Sequence, residues 1–293
     1  MKNRIFKRFV LFSCVAPLLF CGCQSEKRVQ TPPYGEEHIY PVLPIPAPRE
    51  LPEQPTTDQP KTPTTNDIWD FSDVDISYID HSRKLLSFTF DDAPSKHFEN
   101  ILAVFSAYNE THEDCQATAT FFCNGHFFNE TSLRSLRLAS ALNIELGNHT
   151  FSHPNLTLLS TSEIQTEIDR TDTLLQTVDG KPRHLFRAPF GRIDERVKQA
   201  VQTPIIDWTI DTLDWTGVSE QHIYDTVFTQ KFAGAIVLMH DGYENTVKAL
   251  KRLLPDLYDA GYQVVSVSAM AKAHDCPLRR GSVYIRARNK AGY

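Results

Sequence analysis

The chain has 293 residues, 41% of them apolar and 23% charged, and a formal net charge of −6. That length accommodates one large domain or two ordinary ones, and the composition is that of a globular protein, not of a fibrous or wholly disordered one. An acidic balance without a basic patch argues against a nucleic-acid partner.

Residues 1–23 read as an export signal. MKNRIFKR carries Lys2, Arg4, Lys7 and Arg8, and an apolar run from Phe9 to Phe20 follows. A basic head, a short apolar stretch and small residues at the end are the features of a secretory signal. The run of about 12 apolar residues is too short for a bilayer, which needs roughly 20. Gly22-Cys23 resembles a bacterial lipobox, which implies a lipid anchor on Cys23 and a protein facing the cell wall or periplasm. Plain signal-peptidase cleavage and secretion is the alternative. Residues 24–66 hold 10 of the 18 prolines. Such a segment buries too little apolar surface to fold and reads as a linker. A folded domain is expected over 67–293, as a monomer.

Within that domain Lys84–Phe90 (KLLSFTF) is apolar and rich in strand formers, so a strand is expected. Ser95–Tyr108 places Phe98, Ile101, Leu102 and Phe105 on one helical stripe. Ala117–Phe122 and Ile144–Leu146 read as further strands. Ser160 and Glu163 form a capping-box pattern ahead of a helix carrying Ile164, Ile168 and Leu175. Strands are expected near Leu185 and over 204–208, 234–239 and 262–267, with helical stretches between. Alternation of this kind over some 210 residues argues for a parallel α/β fold, a barrel or an open sheet. Both gather their chemistry at the C-terminal ends of the strands.

Those ends carry Asp91 and Asp92, His149 and His153, Arg187, Asp211 and Asp214, and His240. The stretch LGNHTFSHPNL spaces His149 and His153 four apart, so the two could share one side of a helical turn and bind a metal. With 11 histidines in the chain, one such pair carries a false-positive risk. Singly, each residue also has a structural explanation: a helix cap, a surface ion pair, a satisfied core histidine. Together on one rim they favour a site.

TFDDAPS (89–95), HTFSH (149–153), RAPFG (187–191), DTLDW (211–215) and LMH (238–240) resemble the five ordered motifs of the polysaccharide deacetylases, carbohydrate esterase family 4. The resemblance covers about 84–273. It implies a distorted (β/α) barrel with fewer than eight strands, and metal-dependent removal of acetyl groups from sugars, most often N-acetylglucosamine polymers. By resemblance Asp92, His149 and His153 are the ligands of one divalent metal, zinc by expectation, with cobalt or nickel as alternatives. Asp91 is then the general base and Arg187 holds it ionised. His240 is the general acid, oriented by Asp214. The Phe190 N–H joins the oxyanion hole, and Trp215 and Leu238 wall the pocket. Ala93 stands where many relatives have Gly, and Phe190 where Tyr is frequent. The expected substrate is an N-acetylated glycan such as peptidoglycan or chitin oligomers. An O-acetylated xylan is the alternative within enzymes, and a non-catalytic glycan-binding protein the alternative outside them.

Three cysteines fall in the folded domain. A strand between Cys115 and Cys123 would hold them up to about 26 Å apart at roughly 3.3 Å per residue, and a disulfide needs Cα atoms within about 7 Å. Cys276 follows the last helix and is expected at the bottom of the fold, where the second strand begins, so in an oxidising compartment a Cys115–Cys276 bridge is expected, with Cys123 buried and free.

Overall fold

The computed structural model describes residues 68–288. The export signal, the Cys23 anchor and the linker lie outside the described residues.

Strand β1 (Lys84–Ala93) is central. Its partners are β2 (Thr120–Cys123), β6 (Ile236–His240) and, at its first three residues, β7 (Tyr262–Val264). The main sheet runs β3-β2-β1-β6-β5, with β3 at Glu145–Asn148 and β5 at Ile210–Asp211. Every pairing between these strands is parallel. Phe186 bridges Asn148 at the end of β3 to Ile205, carrying the curl onward to β4 (Ile205–Ile206). β4 pairs with β8 (Val283–Tyr284), and Arg286 bridges back to Ala235 beside β6. The result is a distorted (β/α) barrel with a six-stranded main sheet, as the resemblance implied.

Alternation along β1 sorts its side chains. Leu86, Phe88 and Phe90 point into the layer packed under α1 (Phe98–Asn109), α2 (Glu130–Ala141), α5 (Glu220–Gln230) and α6 (Glu244–Asp259). There the Phe90 ring stacks on Phe121 at 4.6 Å and meets Phe105 edge-on. The opposite face carries Leu85, Ser87, Thr89 and Asp91, all buried. Leu85 joins Phe122, Leu185, Ile206 and Ile236 in a second core inside the barrel. A third core packs α3 (Thr161–Asp179) and α4 (Glu195–Ala200) around Phe186 and Ile205. Fully burying each Phe or Leu contributes roughly 1.5–3 kcal/mol. The capping box at Ser160 and Glu163 forms as read: the Ser160 hydroxyl accepts the Glu163 N–H, and Glu163 accepts the Ser160 N–H at 2.8 Å.

Three expectations are corrected. The strand read over 204–208 shrinks to the two residues of β4, which pairs with β8, and a separate strand, β5, follows beyond it and pairs with β6. The strand read to residue 267 stops at Val264, because Ser266 accepts the Ala269 N–H and caps α7 (Val267–Ala273). The Cys115–Cys276 bridge does not form; Cys115, Cys123 and Cys276 are all free. Cys115 lies under the influence of Arg83 and Asp80, near the start of β1, whereas Cys276 packs with the barrel interior beside Arg288. Cys123 is fully buried at the end of β2, as expected.

Candidate active site

Parallel strands bring their C-terminal ends to one edge, and the site is assembled there. Asp91 on β1 pairs in register with His240 on β6. Two strands from β1, beyond β2, β3 ends at Asn148 and the next residue is His149. Arg187 follows the Phe186 bridge, and Asp214 opens a short 3₁₀ turn, Asp214–Thr216, after β5.

His149 and His153 do not share a helical turn. They sit on an irregular loop in which Thr150 (φ 69°) and His153 (φ 57°) are left-handed. The i, i+4 spacing suits a helix, but this loop folds back on itself instead. Asp92 (φ 65°), Phe190 (φ 61°) and Leu213 (φ 54°) are left-handed as well. Each such non-glycine residue costs about 1–2 kcal/mol. Five of the seven in the described chain lie on or beside the residues of this rim, and strain concentrated in this way marks a site held by its surroundings.

The Nε2 atoms of His149 and His153 stand 3.9 and 3.5 Å from Asp92 Oδ1. The three ligand atoms all lie within 4.8 Å of one another, and this is the cluster among the described residues that could hold a metal ion. Tetrahedral ligands at about 2.1 Å from zinc stand about 3.4 Å apart, so the spacing suits one small dication. His149 Nδ1 is 2.8 Å from the Arg187 carbonyl oxygen. A carbonyl only accepts, so Nδ1 carries the proton and Nε2 presents its lone pair to the cluster. Burial holds both histidines below their ordinary pKa, hence neutral, the form that ligates. Burial also raises the Asp92 carboxyl. A dication at that point would reverse the effect and keep it ionised.

Asp91 is 5% exposed. Burial alone would raise its pKa, but the Arg187 guanidinium, with the charged His240, outweighs it and holds the carboxyl below its ordinary value. Arg187 is 1% exposed and donates four hydrogen bonds. Nη1 donates to Asp91 Oδ1 at 2.8 Å and to Thr89 Oγ1 at 2.7 Å, Nε to the Ile206 carbonyl, and Nη2 to the Asp207 carbonyl. Its guanidinium lies 4.2 Å over the Phe122 ring. The other Asp91 oxygen is 3.5 Å from His149 Nε2.

His240 is poised the other way. Burial works against its charge, but Asp214 Oδ1 lies 2.8 Å from Nδ1 and the pKa rises to about 9. Asp214 Oδ2 accepts the His240 N–H at 2.8 Å and the Thr246 hydroxyl at 2.7 Å, so the carboxylate is fixed on three sides. Leu238 sits two residues earlier on the same face of β6 and is 4% exposed. Phe190 (62% exposed) sets its ring 4.6 Å from that of His153, and Trp215 (54% exposed) follows Asp214. Such large exposed rings at the mouth of a site suit an extended apolar-faced ligand.

Sequence reasoning missed the residues that hold this machinery. Thr89 and Thr246 support Arg187 and Asp214. Asp241 accepts the Ser95 N–H and hydroxyl at 2.8 and 2.6 Å, tying the end of β6 to the turn after β1. Asn148 supports the histidine loop. Thr89 lies within the first motif and Asp241 and Asn148 adjoin one, whereas Thr246 carried no signal.

A family model described as polysaccharide deacetylase matches residues 79–204. The chain is 32% identical over 196 residues to the peptidoglycan-N-acetylmuramic acid deacetylase PdaC of Bacillus subtilis, a match covering 66% of this chain and 40% of that protein. It is 30% identical over 198 residues to a peptidoglycan-N-acetylglucosamine deacetylase of Bacillus cereus, covering 65% of this chain and 69% of that one. The solved Xyl-CE4 domain of a multidomain xylanase, from the hindgut metagenome of Trinervitermes trinervoides, superposes with a TM-score of 0.64 at 26% identity, covering 70% of this chain and 98% of that structure. With its motifs set at one barrel mouth and these relatives beside it, the chain belongs to the polysaccharide deacetylase family.

Proposed function

We propose that this protein is a metal-dependent hydrolase that removes N-acetyl groups from N-acetylglucosamine-containing polysaccharide of the peptidoglycan or chitin type. One observation carries the reading: a carboxylate held ionised, Asp91, and an imidazole held protonated, His240, sit in register on adjacent strands beside the Asp92–His149–His153 cluster. Pairs of titratable groups pushed in opposite directions are the mark of a base and an acid.

Asp92, His149 and His153 would hold the metal; zinc is the proposed ion, with cobalt or nickel as alternatives that ligand chemistry alone does not exclude. When bound, the metal would lower the pKa of a water and polarise the acetyl carbonyl. Asp91 takes the proton of the attacking water, and Arg187 keeps Asp91 ionised and aimed. The Phe190 N–H, presented by a left-handed residue, steadies the developing oxyanion. His240 then delivers its Nε2 proton to the departing amine, while Asp214 holds Nδ1 and keeps the ring charged. Phe190, Trp215 and Leu238 enclose the sugar and the acetyl methyl.

We place the enzyme outside the cytoplasm as an exported monomer, anchored through Cys23. Likeness to a domain of a xylanase keeps O-acetyl xylan as the second reading. Acetate release by the zinc-loaded protein from N-acetylglucosamine oligomers, peptidoglycan and O-acetyl xylan separates the two. Release from the N-acetylated glycans supports the proposal; release from xylan alone selects the ester.

A further inference from the structure

The loop carrying both histidines is strained at Thr150 and His153, and its clamp is the Asn148 side chain. Asn148 Oδ1 accepts the Thr150 N–H at 2.9 Å. Asn148 Nδ2 donates to the Ile168 carbonyl and to Asp172 Oδ1, each at 2.9 Å. Three bonds thus fix the amide in rotation. Thr150 Oγ1 in turn accepts the His153 N–H at 3.1 Å. Behind Asn148 the chain of contacts continues. Asp172 Oδ1 lies 2.9 Å from His184 Nδ1, and His184 Nε2 is 3.2 Å from both oxygens of Asp179. The three side chains are only 1% (His184), 10% (Asp172) and 8% (Asp179) exposed. Burial opposes charge on this histidine, but its two carboxylate partners raise its pKa to about 9.

Buried ionic groups of this kind add little stability over apolar residues of the same volume. Their placement here has another use. We propose that Asp172, held by His184, is a positioning residue for the metal ligands, setting the Asn148 clamp and through it the His149–His153 loop. The inference rests on the reading of Asp92, His149 and His153 as ligands. Partners behind metal ligands orient them in this manner, and losing one typically weakens metal binding about 10–100-fold. Asp179 provides the internal control. It touches the far side of His184 and has no bond to Asn148, so it contributes to the same buried charge without touching the clamp.

Zinc titration of the chelator-stripped protein against a competing chelator reads this without turnover. Asp172→Ala is expected to weaken zinc about tenfold or more, and Asp172→Asn, which keeps the shape and one acceptor, roughly threefold. Asp179→Asn is expected to lower the melting temperature yet shift zinc affinity less than about twofold. Should the alanine variant not fold, the isosteric Asp172→Asn carries the test. Zinc affinity unchanged by both Asp172 substitutions overturns the proposal, as does an Asp179→Asn loss as large as that of Asp172→Ala. A wild-type protein that binds no zinc rejects the ligand assignment, and this inference with it.

Discussion

Asp91 and Arg187 form a buried ion pair, 2.8 Å apart. Arg187 spends its donors on Asp91, Thr89 and two carbonyls inside the barrel, where almost no solvent reaches. Removing one partner of a buried pair leaves an uncompensated charge, at a cost of about 3–5 kcal/mol. Arg187→Ala is therefore expected to lower the unfolding free energy by an amount in that range, read by urea denaturation, as well as abolishing turnover. A loss below about 1 kcal/mol, the size of an exposed ion pair, would show that the pair is not buried in solution. His240 makes a different claim. A glucosamine nitrogen needs a proton to leave, and an aryl oxide does not. His240→Asn should slow acetate release from N-acetylglucosamine oligomers by about 10²–10⁴ and largely spare an activated aryl acetate. Equal slowing of both, with metal retained, would remove His240 from the acid role.

Strand β3 shows how one element serves both core and site. Gly147 lies between the Phe122 ring and the next segment: a Cβ there would stand 2.5 Å from Phe122 Cδ1 and 3.2 Å from the Leu185 carbonyl. Phe122 in turn underlies Arg187. Gly147→Ala should therefore cost about 1–3 kcal/mol by overpacking and also weaken zinc, because β3 leads straight into the histidine loop. Thermal melting and a zinc titration check both, and a variant as stable as wild type would show that the ring has room to move. Much of this element level was legible from sequence. Asp91 and His240 each end an apolar run that forms a strand, and capping at Ser160 announced α3, whereas the strand expected near Leu185 reduces to bridges at Phe186 ahead of Arg187. Contacts between distant segments were not. Asp172 and His184 belong to no motif and meet Asn148 only in the folded chain. The histidine loop was hidden because a four-residue spacing fits a helix and a folded-back turn alike. Cys276 gave no hint that it packs against the barrel interior, away from the surroundings of Cys115.

At the scale of the whole molecule, the buried His184 ties stability to pH. Its folded-state pKa is raised from 6.5 to about 9 by Asp172 and Asp179 acting against burial. A histidine that binds its proton more tightly when folded adds stability that is fully present below about pH 6.5 and fades as pH climbs through about 9. Such a shift is worth about 3 kcal/mol. Wild-type stability should fall across that window, and His184→Gln should flatten the fall; a parallel pair of curves would contradict the assignment. The parallel barrel gathers a candidate metal cluster, a base and an acid at one edge, the set that the proposed hydrolysis of an N-acetyl group needs. The most direct test of this account is acetate release from N-acetylglucosamine oligomers by the protein as isolated, after chelation, and after zinc is returned. The account predicts activity lost on chelation and restored by zinc in the wild type, and no restoration in His153→Ala. Undiminished release by a protein shown by elemental analysis to be metal-free would contradict it.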